Sequence, residues 1–147
     1  MKLVVPTAAA IVALAICAPV TTAAPQRSAQ GSSLCSTAHA VAKYLSTTLK
    51  LTANGAAAET PANLKLAYTA VVNSEGAMLA GAPASLKSSL TVAFSWLNLV
   101  RADFEKAGWQ IKNMTPYFPA LVAKGNADAK QLAAVRAYLR GTCHLQI

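Results

Sequence analysis

The feature that most limits the fold of this chain is an apolar stretch at residues 84–107, ASLKSSLTVAFSWLNLVRADFEKA. Its apolar residues recur at spacings of three and four, which is the period of an α-helix. They form two neighbouring stripes: Leu86, Leu90, Ala93, Phe94, Leu97 and Phe104 in the first, and Val92, Trp96, Leu99 and Val100 in the second. A helix that is apolar over most of its circumference needs neighbours on several sides. The stretch therefore predicts the central helix of a helical bundle.

Two further helices are predicted before the central one. The first runs from residue 33 or 34 to residue 51, and Asn54 and Gly55 break the chain after it. The second begins at Thr60 and Pro61, with threonine as the N-cap and proline at the first helical position. It ends at Gly81, only two or three residues before the central helix. So short a connection predicts an antiparallel hairpin.

The carboxyl end of the central helix carries a sequence signal of its own. Gly108 is predicted to be a left-handed cap residue, and Trp109 is predicted to fold back onto Phe104. Arg101 is the exception on the inner side of this helix. Its expected partner is Glu105, four residues later on the same helix.

Glu75 is the matching exception on the second helix, because it falls within that helix's apolar stripe. Folding the hairpin about Gly81 places Glu75 opposite Lys87. We therefore expect a partly covered structural ion pair between Glu75 and Lys87, since acids on inner faces are usually paired. The alternative is an acid with a shifted pKa in a functional pocket.

The remaining chain predicts a short helix, YFPALVAK at residues 117–124, which Thr115 and Pro116 open and Gly125 closes. A last helix, capped by Asn126, is predicted at about 127–140. Four long helices in up-down-up-down order bring the end of the last beside the start of the first. Cys35 and Cys143 lie at those two ends, and such a pair in an exported protein predicts a disulfide. The predicted fold is all-α: an up-down-up-down four-helix bundle with a short extra helix, closed by the disulfide Cys35–Cys143.

The amino-terminal residues have the pattern of a signal peptide. Lys2 supplies a positive charge, an apolar run fills residues 3–20, and the small residues Thr21 and Ala23 suit signal peptidase. The apolar run is too short and too proline-interrupted to favour a membrane anchor. Cleavage is therefore expected near Ala23.

This cleavage site sets the predicted domain organisation. Residues 1–23 are the signal peptide, 24–33 a flexible lead-in and 34–147 the helical bundle domain, with no transmembrane segment in the mature chain. The alternative is a lipid anchor at Cys17, which a lipobox-like sequence precedes. Ile16 is not the small residue that a lipobox requires before its cysteine, so this anchor is disfavoured.

Basic residues outnumber acidic ones by 13 to five, a formal net charge of +8. Loss of Lys2 with the signal peptide leaves the mature chain at about +7. The cations are scattered, without the runs or the interleaved aromatics of a nucleic-acid-binding surface. We therefore expect no nucleic-acid partner. The charge favours solubility, or a salt-sensitive attraction to anionic components of the cell envelope.

The usual signals of catalysis and of metal binding are missing from the sequence. It contains no glycine-rich phosphate loop, no CxxC, HExxH or EF-hand spacing, and no GxSxG-like setting for a nucleophile. No catalytic residues or dedicated metal ligands are therefore assigned, and a protein that is not an enzyme is favoured.

The two histidines nevertheless suggest a cofactor site. His39 lies one helical turn after Cys35, and His144 directly follows Cys143. The predicted disulfide would bring them within about 10 Å of each other. Imidazoles commonly bind metals and haem iron. His39 and His144 are therefore either cofactor-binding residues for haem or a metal, or solvated residues at the open end of the bundle.

Four aromatic residues gather around the segment after the central helix: Trp96, Trp109, Tyr117 and Phe118. One interpretation is an ordinary core cluster. The other is a pocket between helices for a small apolar ligand.

Two stretches, GAPASLKSSL and AVRAYLRGTCHL, resemble small secreted alanine-rich helical proteins of actinobacteria, as do the signal peptide and the terminal cysteines. The resemblance implies export and a helical fold, and it carries no activity. The stretch CSTAHAVAKYL is also similar to the start of secreted mycobacterial haem-binding proteins, although this chain has more residues between its cysteines.

The sequence thus predicts an exported small helical protein that acts as a non-catalytic binding module or a cell-envelope-associated module. A haem or metal carrier that uses His39 and His144 is the first alternative. An unrecognised enzyme is the second, and it would need a pocket with a base that the sequence does not reveal.

Overall fold

The computed structural model describes residues 29–52, 55–56 and 60–145. The predicted signal peptide, the cleavage site near Ala23 and the lipobox cysteine Cys17 lie outside these residues. The described part is helical, with these elements in chain order: α1 (Ala29–Leu49), β1 (Leu51–Thr52), β2 (Gly55–Ala56), α2 (Pro61–Asn73), α3 (Glu75–Gly81), α4 (Ala84–Lys106), a 3-10 helix (Ile111–Asn113), α5 (Phe118–Ala127) and α6 (Ala129–Gly141). Within the described residues, none of the helices has the length and apolar character that crossing a membrane would need.

Helix α1 begins earlier than predicted, so residues 29–33 of the expected lead-in are helical. Alanine and glutamine at its first two positions are good helix formers. The polar composition of the segment had instead indicated a flexible lead-in. The helix ends at Leu49 because Lys50 takes a left-handed conformation with a φ of 48°. Strands β1 and β2 then pair antiparallel over two residues each, within the connection to α2.

The predicted second helix is divided into α2 and α3. Its start is confirmed: the backbone N–H of Asn63 donates to the hydroxyl of the N-cap Thr60 at 3.2 Å. The division falls at Ser74, whose hydroxyl donates to the carbonyl of Val71 at 2.6 Å. Such a local side-chain bond competes with the helical backbone pattern, and this explains a break that apolar periodicity could not indicate.

Helix α4 confirms the predicted central helix and takes part in both core clusters. Its carboxyl half supplies Trp96, Val100 and Phe104 to the first cluster. Its amino half supplies four residues to the second: Leu86, Leu90, Ala93 and Phe94. These side chains are at most 8% exposed. Full burial of each large apolar side chain contributes about 1.5–3 kcal/mol, so α4 holds both halves of the domain together.

The carboxyl end of α4 confirms the predicted cap. Gly108 has a φ of +64°, in the left-handed region. The N–H of Gly108 donates to the carbonyl of Glu105 at 3.1 Å, and that of Trp109 donates to the carbonyl of Phe104 at 2.8 Å. Trp109 stacks on Phe104 with ring centroids 5.9 Å apart. These are the two hydrogen bonds and the apolar contact of a Schellman motif.

The boundary between the last two helices was predicted wrongly. Helix α5 continues past Gly125 to Ala127, and Asp128, not Asn126, is the residue before α6. The Asp128 carboxylate pairs with Lys124 in the last turn of α5. It makes no capping bond to α6. The ion pair with α5 therefore takes the place of the predicted cap.

The disulfide Cys35–Cys143 is present, with its Cα atoms 5.0 Å apart. It joins α1 to the residues just after α6 across a sequence separation of 108. The predicted all-helical fold with one disulfide joining its two ends is therefore confirmed.

Two glycines of α3 provide a matched test of close helix packing. A Cβ at Gly81 would lie 2.7 Å from the backbone nitrogen of Leu34, whereas a Cβ at Gly76 would meet nothing within 4 Å. We expect Gly81→Ala to lower the free energy of unfolding by about 1–3 kcal/mol, because the backbone of α1 would have to move. Gly76→Ala is expected to raise it by about 0.5–1 kcal/mol through helix propensity alone. Urea unfolding of both variants checks this, and equal effects would contradict the close approach of α3 to α1.

Candidate functional site

A groove lies between α5 and α6, above the side chain of Trp96 from α4. Its volume is about 350 Å³, which is at the small end of the roughly 300–1,000 Å³ typical of ligand pockets. We name it the α5–α6 groove. Its lining residues are Trp96, Phe118, Leu121, Val122, Gly125, Asn126, Ala129, Leu132, Ala133 and Arg136.

The floor of the groove is formed by Trp96, which is only 7% exposed. Its indole Nε1 donates a hydrogen bond to the carbonyl oxygen of Leu121 at 3.3 Å, which fixes the ring beneath α5. Gly125 lies over the same edge of the ring, where a Cβ would stand 3.4 Å from Nε1. A larger side chain at this position would reach the indole. Because glycine has no side chain, the indole ring remains uncovered there as the floor of the groove.

The walls of the groove are almost entirely apolar. Leu121 is buried, Phe118 and Leu132 are partly buried, and Val122 is 55% exposed, an unusual position for a large aliphatic side chain. On α6 the lining includes two short alanine side chains, Ala129 and Ala133, which leave room between the helices. An apolar cleft over an aromatic floor suits aliphatic ligands.

The four predicted aromatic residues all belong to one core cluster or pack against it: Trp96 and Trp109 are members, and Tyr117 and Phe118 lie against it. Trp109 packs on Tyr68 and Phe104 there, with ring centroids 5.1–6.2 Å apart. Trp96 and Phe118 in addition line the groove. The core interpretation therefore fits the whole group, and the pocket interpretation applies to Trp96 and Phe118 as well.

The single charged residue in the lining is Arg136, an exposed residue of α6. Helix α6 also carries Lys130 and Arg140 and has no acidic residue. Within the described residues, none of these three cations is in an ion pair. The α6 side of the groove is therefore positively charged.

His39 lies beside the residue that precedes His144. The His39 Nε2 is 2.7 Å from the carbonyl oxygen of Cys143, the residue next to His144. Since a carbonyl only accepts, Nε2 carries the proton and donates, so this nitrogen is not free to bind a metal. Among the described residues there is no group of three or more histidine, cysteine, aspartate or glutamate side chains that could hold a metal ion.

The expected ion pair between Glu75 and Lys87 is not among the contacts of the described residues. The Glu75 carboxylate instead accepts a hydrogen bond from Asn98 Nδ2 at 3.4 Å. Asn98 lies eleven residues beyond Lys87 on α4, about 16 Å along the helix axis. The break at Ser74 makes α3 a separate short helix, so the register of a continuous hairpin does not apply. Arg101, by contrast, pairs with Glu105 at 3.1 Å as predicted.

A polar cluster that sequence reasoning missed lies at the end of α4. Asp103 is 4% exposed, and Lys106 donates to its carboxylate at 2.8 Å. This hydrogen bond and the charge of Asp103 raise the pKa of Lys106. The Lys106 ammonium also lies 5.7 Å from the centre of the Tyr117 ring. The sequence signal for this ion pair was the spacing of three residues between the acid and the lysine. The cluster joins α4 to the start of α5.

The α5–α6 groove is thus an apolar cleft among the described residues and the candidate site for a small molecule. The chain matches no known protein family, no curated protein and no solved structure.

Proposed function

We propose that this protein is an exported, non-catalytic binding module whose site is the α5–α6 groove and whose ligand is a small apolar molecule. The observation that carries the proposal is the indole of Trp96 at the bottom of an apolar groove of about 350 Å³. The lining is predominantly apolar, with Leu121, Val122 and Leu132 beside the aromatic rings, and a mainly hydrophobic lining is usual in ligand pockets.

Export is the second part of the proposal. The signal-peptide pattern ending near Ala23 supports it, and so does the resemblance to small secreted proteins of actinobacteria. A disulfide that joins the two ends of the domain is consistent with an oxidising, extracytoplasmic location. The up-down-up-down order of the long helices belongs to the same proposal, because it explains why Cys35 and Cys143 meet.

A haem or metal carrier that uses His39 and His144 remains an alternative proposal with less support. The hydrogen bond from His39 to the Cys143 carbonyl occupies one imidazole nitrogen. A haem or metal ligand would have to bind the other nitrogen or break this bond.

An association with anionic envelope components agrees with the basic charge of the chain. No observation on the described residues favours an enzymatic role.

Filling the groove tests the proposed site. Ala133 lines the groove, whereas Ala137, which is also an exposed alanine of α6, does not. We expect Ala133→Phe to weaken the binding of a neutral aliphatic probe, decanol, by roughly tenfold or more. The reason is that the new ring displaces two or three methylenes of the probe, each worth about 0.8 kcal/mol when buried. Isothermal titration calorimetry on the oxidised mature protein measures the effect.

Ala137→Phe is the matched control, because it adds the same ring to the same helix outside the groove. It is expected to bind decanol as the wild type does. Thermal unfolding of both variants shows that each is folded. Wild-type protein that gives no binding heat, or two variants that bind equally well, would disprove the groove as the site.

A further inference from the structure

The dimensions of the α5–α6 groove suit one aliphatic chain. Along α6 the lining extends from Ala129 to Arg136, a distance of about 10 Å at 1.5 Å per residue. The cavity volume of about 350 Å³ is small for a ligand with two acyl chains. Most of the lining residues are aliphatic or aromatic, so a single extended chain would meet mainly apolar side chains.

The charge of the groove is concentrated at one point. Arg136 is its only charged lining residue, and Ala129, at the other end of the α6 wall, lies near the turn at Asp128. A guanidinium at one end of an apolar groove favours a ligand with an anionic group at one end of an apolar chain. Arginine pairs with carboxylates through two parallel hydrogen bonds, which fixes orientation as well as adding affinity.

The acidic side chains in the described part of the chain do not compete for Arg136, because each already has another contact. Glu75 bonds to Asn98, Asp103 to Lys106, Glu105 to Arg101 and Asp128 to Lys124. An anionic group on a ligand is therefore the partner that would neutralise the charge of Arg136.

Resting on the binding function proposed above, we propose that the ligand is a single-chain amphiphile with an anionic end, of which a medium-chain fatty acid is the simplest example. Its chain lies against Trp96 and Val122 between α5 and α6. Its carboxylate pairs with the exposed guanidinium of Arg136.

Comparison of decanoate with decanol tests this assignment, since the two probes share a chain and differ in charge. At neutral pH we expect wild-type protein to bind decanoate roughly three- to tenfold more tightly than decanol, the range expected for a charged hydrogen bond at a solvent-accessible site. Arg136→Gln is expected to remove this preference, so that decanoate binds no more tightly than decanol. Arg136→Lys, which keeps the charge without the planar fork, should retain part of it.

Arg140→Gln is the matched control, because it removes the same charge from the same helix one turn away and outside the lining. It should retain the preference for decanoate. If wild-type protein binds both probes equally, the anionic assignment is overturned while the proposed groove function stands. If neither probe binds, both are overturned.

A membrane surface gives a different result. The protein would then bind phosphatidylglycerol vesicles, and Arg136→Gln and Arg140→Gln would weaken this binding equally. If it also showed no preference for decanoate over decanol, the assignment would be overturned in favour of a lipid bilayer.

Discussion

Replacement of both Cys35 and Cys143 by serine is expected to lower the free energy of unfolding by about 2–5 kcal/mol. The disulfide closes a loop that contains nearly all of the described domain, with a sequence separation of 108. In the chain-entropy model, a loop of about 100 residues contributes roughly 4.7 kcal/mol by restricting the unfolded chain. Since a small domain has a total stability of about 5–15 kcal/mol, this loss is large. Urea unfolding of the oxidised wild type and of the double variant measures it.

A reducing agent supplies the control for this prediction. It should lower the urea midpoint of the wild type to that of the double variant and leave the double variant unchanged. A wild-type midpoint that does not respond to complete reduction would show that the cross-link contributes nothing to stability.

Removal of the Phe104 ring is expected to produce the other large loss, about 3–5 kcal/mol for Phe104→Ala. Phe104 is 1% exposed and lies between Tyr68, at a centroid distance of 5.1 Å, and Trp109, at 5.9 Å. Alanine would leave a cavity between two rings whose positions are held by α2 and by the cap of α4. Chemical denaturation monitored by circular dichroism measures the change.

Leu66→Ala is the matched truncation for Phe104→Ala. Leu66 is also an apolar residue of a helix, but it is 51% exposed. Its replacement should change the free energy of unfolding by no more than about 0.5 kcal/mol, as is usual for surface positions. Comparable losses in the two variants would mean that the cluster around Phe104 is not a main source of stability.

The parts of the fold that the sequence predicted correctly depend on local chemistry. A threonine followed by a proline starts α2, and a glycine with φ +64° ends α4. The apolar residues of α4 identified it as central because a helix period can be read without knowing its neighbours. The pairing of Cys35 with Cys143 could be inferred because the third cysteine, Cys17, falls within the predicted signal peptide.

The errors arose where a side chain has a choice of partners. Asn126 has a side chain typical of an N-cap and was predicted to begin the last helix, yet the pairing of Asp128 with Lys124 sets the boundary between α5 and α6. Glu75 was placed opposite Lys87 by assuming one continuous helix, and the Ser74 hydroxyl breaks that helix. In both cases two local interactions compete, and their relative strength depends on packing that a linear pattern does not contain.

The candidate site was only partly predictable for a related reason. Trp96 and Phe118 were identified as candidates because aromatic residues are conspicuous. Gly125 and Ala133 matter through the space they leave, and that space exists only because α5 and α6 both pass over Trp96. The same packing of the helices brings Arg136 to the candidate site. In the sequence it is one of several scattered basic residues, and nothing there distinguishes it.

The separation of the two tryptophans has a practical consequence for spectroscopy. Trp109 is enclosed by Tyr68 and Phe104, whereas Trp96 forms the floor of the groove. Both tryptophans are buried in the same core cluster and report unfolding, but only Trp96 also lines the groove and can report its occupancy. A Trp109→Phe variant, which keeps an aromatic ring in the core, would leave Trp96 as the single tryptophan of the chain. Its emission would then follow binding in the groove without an external dye.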